Sequence, residues 1–443
     1  MRTAYRTVAA GVLLALALMA AQPAAAQTAE ARAQNVLHTW YRLTLELVRH
    51  TPTYSPPVAS RSFAYLGVTA FEVAASGRPE LVSLAGQLNG FDTGLPEREA
   101  GAAYDEAVAL QAAMATGIKT LFGNTGPTGQ RAIEAIAAKL QASAAVGVDA
   151  DVVARSEAYG RAVAEHVLAW SADDGGAVVE NMGFPFKYEL KPGPEHWVPT
   201  SLIGQQQVPL LPAWGSNRTF AIPNGASCGL PPPPAYSEDE GSRFYKEALE
   251  VYEVSKTLTP EQEAIARFWS DDPMLTPTPP GHWLSITMQI LEQQEAPLDR
   301  RVEVLARLGI GLADAFIGCW YDKFKYDLVR PVTYIQRHID PKWQAILITP
   351  PFPEYPSGHS TQSGAAAEVL TDAFGENFAF DDLTHQEDGL PPRRFASFWD
   401  AADEAGISRL YGGIHYRAAI ELGLEQGKCI AAYTNALVTR RVQ

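Results

Sequence analysis

The sequence predicts an all-α fold of two helical bundles with a long irregular loop in the middle, and three observations lead there. Most of the chain falls into Ala-rich segments whose apolar residues recur at helical spacing and which hold almost no internal Pro. Residues 172–240 interrupt that pattern with Gly, Pro and aromatic residues, including Pro231 to Pro234 in a row. Helical spacing then resumes, and no fixed-period repeat points to a solenoid.

Taken in order, Ala29 to Arg49, Ser60 to Ala75, Arg98 to Phe122, Gly129 to Ala145 and Val152 to Ser171 read as the helices of an N-terminal half, residues 27–171. Residues 172–240 read as a loop with room for a short hairpin. A loop this long is usually functional or disordered, and its Trp197 and Trp214 favour packing. Ser242 to Lys256, Pro260 to Ser270, Trp283 to Gln293 and Leu298 to Val329 begin a C-terminal helical half, residues 241–443. Ser360 to Ala373 and Tyr416 to Val438 continue it.

The start of the chain carries an address. Arg2 and Arg6 precede an apolar run from Val8 to Ala21, and Ala24-Ala25-Ala26 stands before Gln27, the pattern of a signal peptide over residues 1–26. A periplasmic or secreted protein is expected. The run is shorter than the ~20 residues of a membrane span, and no later segment of that length lacks charge, so no integral membrane segment is expected after cleavage. The formal charge is −15, and removing residues 1–26 takes away two Arg and no acid. So negative a protein is a poor partner for nucleic acid or an anionic membrane surface.

Cys228, Cys319 and Cys429 allow at most one intramolecular bridge. A Cys228 to Cys429 pair is open to an exported protein, while Cys319 reads as helix packing. His38, His50, His166, His196, His282, His338 and His385 form no cluster along the chain, so no zinc site is expected.

Chemistry is concentrated in three blocks of the last 120 or so residues: Lys323 with Arg330-Pro331, Pro356-Ser357-Gly358-His359, and Ser408-Arg409 followed by His415. Together they offer three fixed cations, two imidazoles and a turn at a helix mouth, the groups that hold a tetrahedral oxyanion. Lys323 and Arg330, seven residues apart, would project from one face of a helix that ends near Pro331. Gly358 would let an anion approach unpaired backbone N–H groups at a helix N-terminus, with the Ser357 hydroxyl as a further donor. His359 would stand beside that anion and pass protons. Arg409 and His415 face apart on an unbroken helix, so their convergence needs a break at Gly412-Gly413. Each block alone has a plainer account, as a solvated cationic face, an N-cap or a core histidine. Their co-occurrence is what points to a site.

In this combination the chain resembles the vanadium-dependent haloperoxidases and the type 2 phosphatidic acid phosphatases and bacterial acid phosphatases of the same superfamily. The shared pattern is Lys, six residues, Arg-Pro; Pro-Ser-Gly-His; and Ser-Arg, five residues, His, and every spacing is intact here. The resemblance extends upstream through Ser55-Pro56-Pro57, Arg61 to Tyr65, Phe268-Trp269 and Pro280 to Trp283. It implies that Lys323, Arg330, Ser357, Gly358 and Arg409 bind vanadate oxygens, that His359 is the acid/base, and that His415 bonds the metal. Lys323 would also polarise the activated oxidant, which makes it catalytic as well as cofactor-binding. Trp320 and Phe352 resemble the aromatic surroundings of the fungal chloroperoxidase site, and Ala419 departs from the family by replacing a frequent acidic residue.

The activity this implies is halide oxidation by hydrogen peroxide to hypohalous acid, with vanadate as cofactor. A phosphomonoester hydrolase working through a phosphohistidine at His415 is the alternative, with phosphoesters as substrates. A non-catalytic periplasmic oxyanion-binding protein is the third reading. A homo-oligomer is compatible with all of them.

Overall fold

The computed structural model describes residues 28–177, 188–201 and 206–441, so the signal-peptide expectation for residues 1–26 lies outside the described residues, as does part of the central loop. Local rules place the N-terminal helices. Thr28 caps α1 (Ala29–Arg49) by accepting the Ala31 N–H at 3.1 Å, and Pro56-Pro57 open α2 (Pro56–Ala75), where missing N–H groups cause no loss. Asp105 caps α3 (Glu106–Leu121), which therefore starts after the Arg98 that sequence spacing suggests. Two further helices, α4 (Pro127–Ala144) and α5 (Ala150–Ser171), complete this half.

The C-terminal half holds α6 (Arg243–Lys256), α7 (Pro260–Phe268), α8 (Thr278–Gln293), α9 (Leu298–Tyr326), α10 (Pro331–His338), α11 (Gly358–Phe374), α12 (Phe398–Tyr411) and α13 (Arg417–Asn435). Helix α9 is buried on nearly all faces, which is where an apolar helix of this length belongs. It packs on α2 on one side and on α11 and α13 on the other. One apolar cluster runs from Ala33 to Ala431, so the two bundles share a core. Among the described residues no helix is long and apolar enough to cross a membrane.

Three expectations need correction. Helix α9 ends at Tyr326, short of Val329, because Asp327 adopts a left-handed conformation with φ 52°. A two-stranded antiparallel ribbon, β1 (Phe380–Asp382) with β2 (Arg393–Phe395), interrupts the helices; its strands are too short for an alternating pattern to register. The central loop forms no hairpin among its described residues. Its order has other causes. The Asp314 carboxylate on α9 accepts the N–H groups of Phe220, Ala221 and Ile222 at 2.7, 2.7 and 3.0 Å. Asp322 takes the Leu230 N–H at 2.9 Å, and a Cys228–Cys429 disulfide ties the loop to α13.

Helices α11 and α13 approach at backbone contact. A Cβ on Gly427 would lie 2.6 Å from the Ala365 nitrogen, and one on Gly364 would lie 2.5 Å from the Leu424 oxygen. Gly427→Ala is therefore expected to destabilise the fold by ~1–3 kcal/mol through forced separation of the two helices. The check is a lower urea midpoint at unchanged slope.

Candidate active site

Five helix ends meet at one place. Lys323 lies in the last turn of α9, and Arg330 is the N-cap of α10 in extended conformation, as Pro331 requires of its predecessor. The two cations therefore do not share a helix face, contrary to expectation. They converge because residues 327–329 turn back between two neighbours: the Trp197 N–H bonds the Asp327 oxygen at 2.8 Å, and the Glu354 N–H bonds the Leu328 oxygen at 3.0 Å.

Ser357 caps α11, its hydroxyl accepting the Ser360 N–H at 3.3 Å and keeping its own proton to donate. Gly358 and His359 form the first turn, where backbone N–H groups lack helical partners. A Cβ on Gly358 would meet nothing nearer than the Trp320 ring at 3.6 Å, so that side is open. Arg409 ends α12, Gly412 and Gly413 (φ 77°) break the chain, and His415 precedes Tyr416, the N-cap of α13. The predicted break is what brings Arg409 and His415 together.

The guanidinium groups touch the imidazoles. Arg330 Nη1 donates to His415 Nε2 at 3.1 Å and to the Ile414 oxygen at 2.9 Å, and its Nε donates to the Phe352 oxygen at 2.8 Å. Arg409 Nη1 donates to His359 Nε2 at 2.7 Å and to the Trp269 oxygen. Arg330 Nη2 and Arg409 Nε are buried without a hydrogen-bond partner. Lys323 differs: its ammonium donates to the oxygens of Pro353 and Glu354 at 2.9 and 3.0 Å and to that of Pro356, behind the rings of Trp320 and Phe352. Burial pushes it down to about 7, and pushes Arg330 and Arg409 down to about 10.

Glu354 was not legible as a site residue. Its Oε1 accepts from His415 Nδ1 at 2.8 Å and from the Tyr416 N–H at 2.9 Å. This fixes the ring and leaves Nε2 as the lone-pair nitrogen. The Glu354 carboxyl group, which burial pushes up to about 8, thus orients His415 from the segment before α11 and not from position 419, where the Ala419 oxygen accepts the Ser357 N–H. Burial, followed by Arg330, Lys323 and Arg409, holds His415 well below the ordinary imidazole range; burial and Arg409 do the same to His359.

Both imidazoles and Gly358 face a cavity of about 370 Å³. Phe316, Trp320, Phe352, Pro350, Pro351 and Ile348 form its apolar wall, and Asp271 and Asp272, whose charges act on Arg409, line it as well.

A helical two-bundle scaffold presenting three buried cations and an oriented imidazole defines an oxyanion-binding enzyme, and comparison with known proteins gives its family. The description of the VCPO second helical-bundle domain matches residues 303–443. The vanadium chloroperoxidase of Curvularia inaequalis is 25% identical over 224 residues, 37% of this chain and 37% of that protein's length. A bacterial vanadium-dependent iodoperoxidase structure superposes with a TM-score of 0.84 at 38% identity, covering 92% of this chain and 97% of the other. A holo bacterial vanadium-dependent chloroperoxidase, 16% identical with a TM-score of 0.68, covering 88% of this chain and 93% of the other, shares the fold. The chain belongs to the vanadium haloperoxidase family, and with it comes a vanadate cofactor. Neither the phosphohydrolase nor the binding-only alternative is favoured.

The unpartnered donors on Arg330 and Arg409, the open side of Gly358 and the His415 Nε2 lone pair fit that oxyanion. Glu354→Gln is expected to weaken orthovanadate binding by ~10–100-fold, as losses of ligand-orienting groups do. Equal affinity in titration calorimetry would detach the carboxylate from this role. Lys323 adds a pH dependence. Free, it is charged below pH about 7; an anion stabilises the charged form, so above that pH binding must take up a proton. Orthovanadate affinity is expected to fall faster with rising pH in wild type than in Lys323→Met, by up to ~tenfold per pH unit.

Proposed function

We propose that this protein is a vanadate-dependent haloperoxidase that uses hydrogen peroxide to oxidise halide, iodide in preference, to hypohalous acid. The observation that carries the reading is His415 Nε2, fixed by Glu354 behind it and set among Lys323, Arg330 and Arg409 at the floor of an apolar cavity. The iodoperoxidase likeness supports iodide, which is also the easiest common halide to oxidise.

In this reading His415 Nε2 is the metal ligand, and Arg330, Arg409, Lys323, the Ser357 hydroxyl and the Gly358 N–H hold the oxyanion's charge. Bound vanadate supplies a Lewis-acidic centre that activates peroxide without changing its own oxidation state. His359 is a neutral acceptor at the cavity edge, its side chain 18% exposed, able to take a proton from entering peroxide and return one to departing water. The overall balance is H2O2 + I⁻ + H⁺ → HOI + H2O. Positive charge fixed in place needs no rearrangement during the reaction.

We also propose that the protein works outside the cytoplasm. The Arg2 to Ala26 pattern supports export, and so does a disulfide within the described residues.

The test takes one chelator-treated preparation through halide oxidation and phosphoester cleavage, with and without orthovanadate. Orthovanadate-dependent oxidation is expected, with iodide ahead of bromide and chloride. His415→Ala should abolish it, while His359→Ala should lower turnover and keep measurable orthovanadate affinity. Orthovanadate that only inhibits phosphoester cleavage would overturn the reading.

A further inference from the structure

Behind His359 lies a second cluster that halide oxidation does not use. Asp271 follows α7, His282 sits in the first turns of α8, and His385 lies in the turn after β1. Sequence spacing gives no zinc site, since these residues are 11 and 103 positions apart. The fold nevertheless brings one ligand-type atom of each to within 4.8 Å of the others, all three buried.

His282 Nδ1 lies 3.1 and 3.0 Å from the two Asp271 oxygens, and His385 Nε2 lies 3.3 Å from Asp271 Oδ1. The opposite nitrogen of each ring is held by another carboxylate: His282 Nε2 by Asp382 at 2.8 Å, and His385 Nδ1 by Asp388 at 3.1 Å. His385 Nε2 is buried without a hydrogen-bond partner. Trp269 stacks on His282 with ring centroids 4.5 Å apart, fixing its plane.

We propose that Asp271, His282 and His385 form a binding site for a divalent transition-metal ion of the zinc class, behind His359 and sharing Asp271 with the wall of the active-site cavity. Metal-bound histidines donate their other N–H to a carboxylate, which is the role of Asp382 and Asp388. Bonds of ~2.0–2.1 Å at tetrahedral angles place neighbouring ligand atoms ~3.3 Å apart, close to the 3.0 and 3.3 Å that separate His282 Nδ1 and His385 Nε2 from Asp271. Charge also balances. With both imidazoles neutral, one divalent ion offsets Asp271 and Asp382, while Asp388 is already paired with Arg49 at 2.6 Å. Without the ion, His385 Nε2 is buried with no hydrogen-bond partner. The ion would pin three separate segments behind His359, whose Nε2 is 4.0 Å from Asp271 Oδ2.

Full-length protein is purified without added chelator, and zinc and vanadium are counted separately by elemental mass spectrometry. One zinc per chain is expected, removable by chelator, with a rise in unfolding temperature when zinc returns. His385→Gln should lose zinc, and Asp382→Asn should bind it ~10–100-fold more weakly. Cobalt(II) added to chelator-treated wild type should give a visible ligand-field spectrum, a readout that needs no variant to fold. No retained zinc, no thermal shift and no cobalt spectrum would make the cluster an imidazolium–carboxylate network and sink the proposal. Zinc bound equally by His385→Gln would do the same. Vanadium content and iodide oxidation in the same samples test the haloperoxidase reading independently.

Discussion

The constraint on which the active site depends is the burial of three cations with too few carboxylates to neutralise them. Lys323, Arg330 and Arg409 are all at most 1% exposed. Uncompensated charges in such a setting are strongly destabilising. The protein solvates them with backbone oxygens, and the sequence explains where these come from. The run Thr349 to Pro356 is rich in Pro, which has a carbonyl and no N–H, so acceptors outnumber donors. Oxygens of Pro353, Glu354 and Pro356 serve Lys323, and that of Phe352 serves Arg330. What looks like a loop without structure is a rack of carbonyls.

The helices are needed to keep that rack in place. Helix ends carry unsatisfied groups, so gathering the ends of α9, α10, α11, α12 and α13 concentrates polar backbone at one point inside an otherwise apolar protein. Glycine contacts between α11 and α13 fix the distance between the elements that carry His359 and His415. A second apolar cluster, with Phe244, Tyr334, Tyr355 and Tyr416, joins α6 and α10 to the residues that directly follow Glu354 and His415.

Much of this was legible in the sequence because it rests on local rules. Helical spacing gave the bundle class, Gly412-Gly413 gave the break before His415, and the intact blocks singled out Lys323, Arg330, Ser357, Gly358, His359, Arg409 and His415. Residues whose roles depend on distant partners were not legible. Glu354 stands in a Pro-rich run at no fixed spacing from His415, 61 residues on. Asp271, His282 and His385 come from a loop, a helix and a turn. The left-handed Asp327 had no sequence signal, since Asp adopts that conformation only when its surroundings call for it. Its consequence was the wrong helix for Arg330.

The cations have a second effect beyond attracting anions. Arg330, Lys323 and Arg409 lower the proton affinity of His415, and Arg409 that of His359, so both rings stay neutral before an anion arrives. For His415 this preserves the Nε2 lone pair that metal ligation would use. For His359 it means that the ring bonded to Arg409 is a weak base. An oxyanion held by the unpartnered Arg409 Nε would offset the Arg409 charge, which would raise the proton affinity of His359. Proton affinity at His359 would therefore rise as an oxyanion binds, and the Arg409 charge proposed to hold that oxyanion is the one that helps keep the ring neutral beforehand.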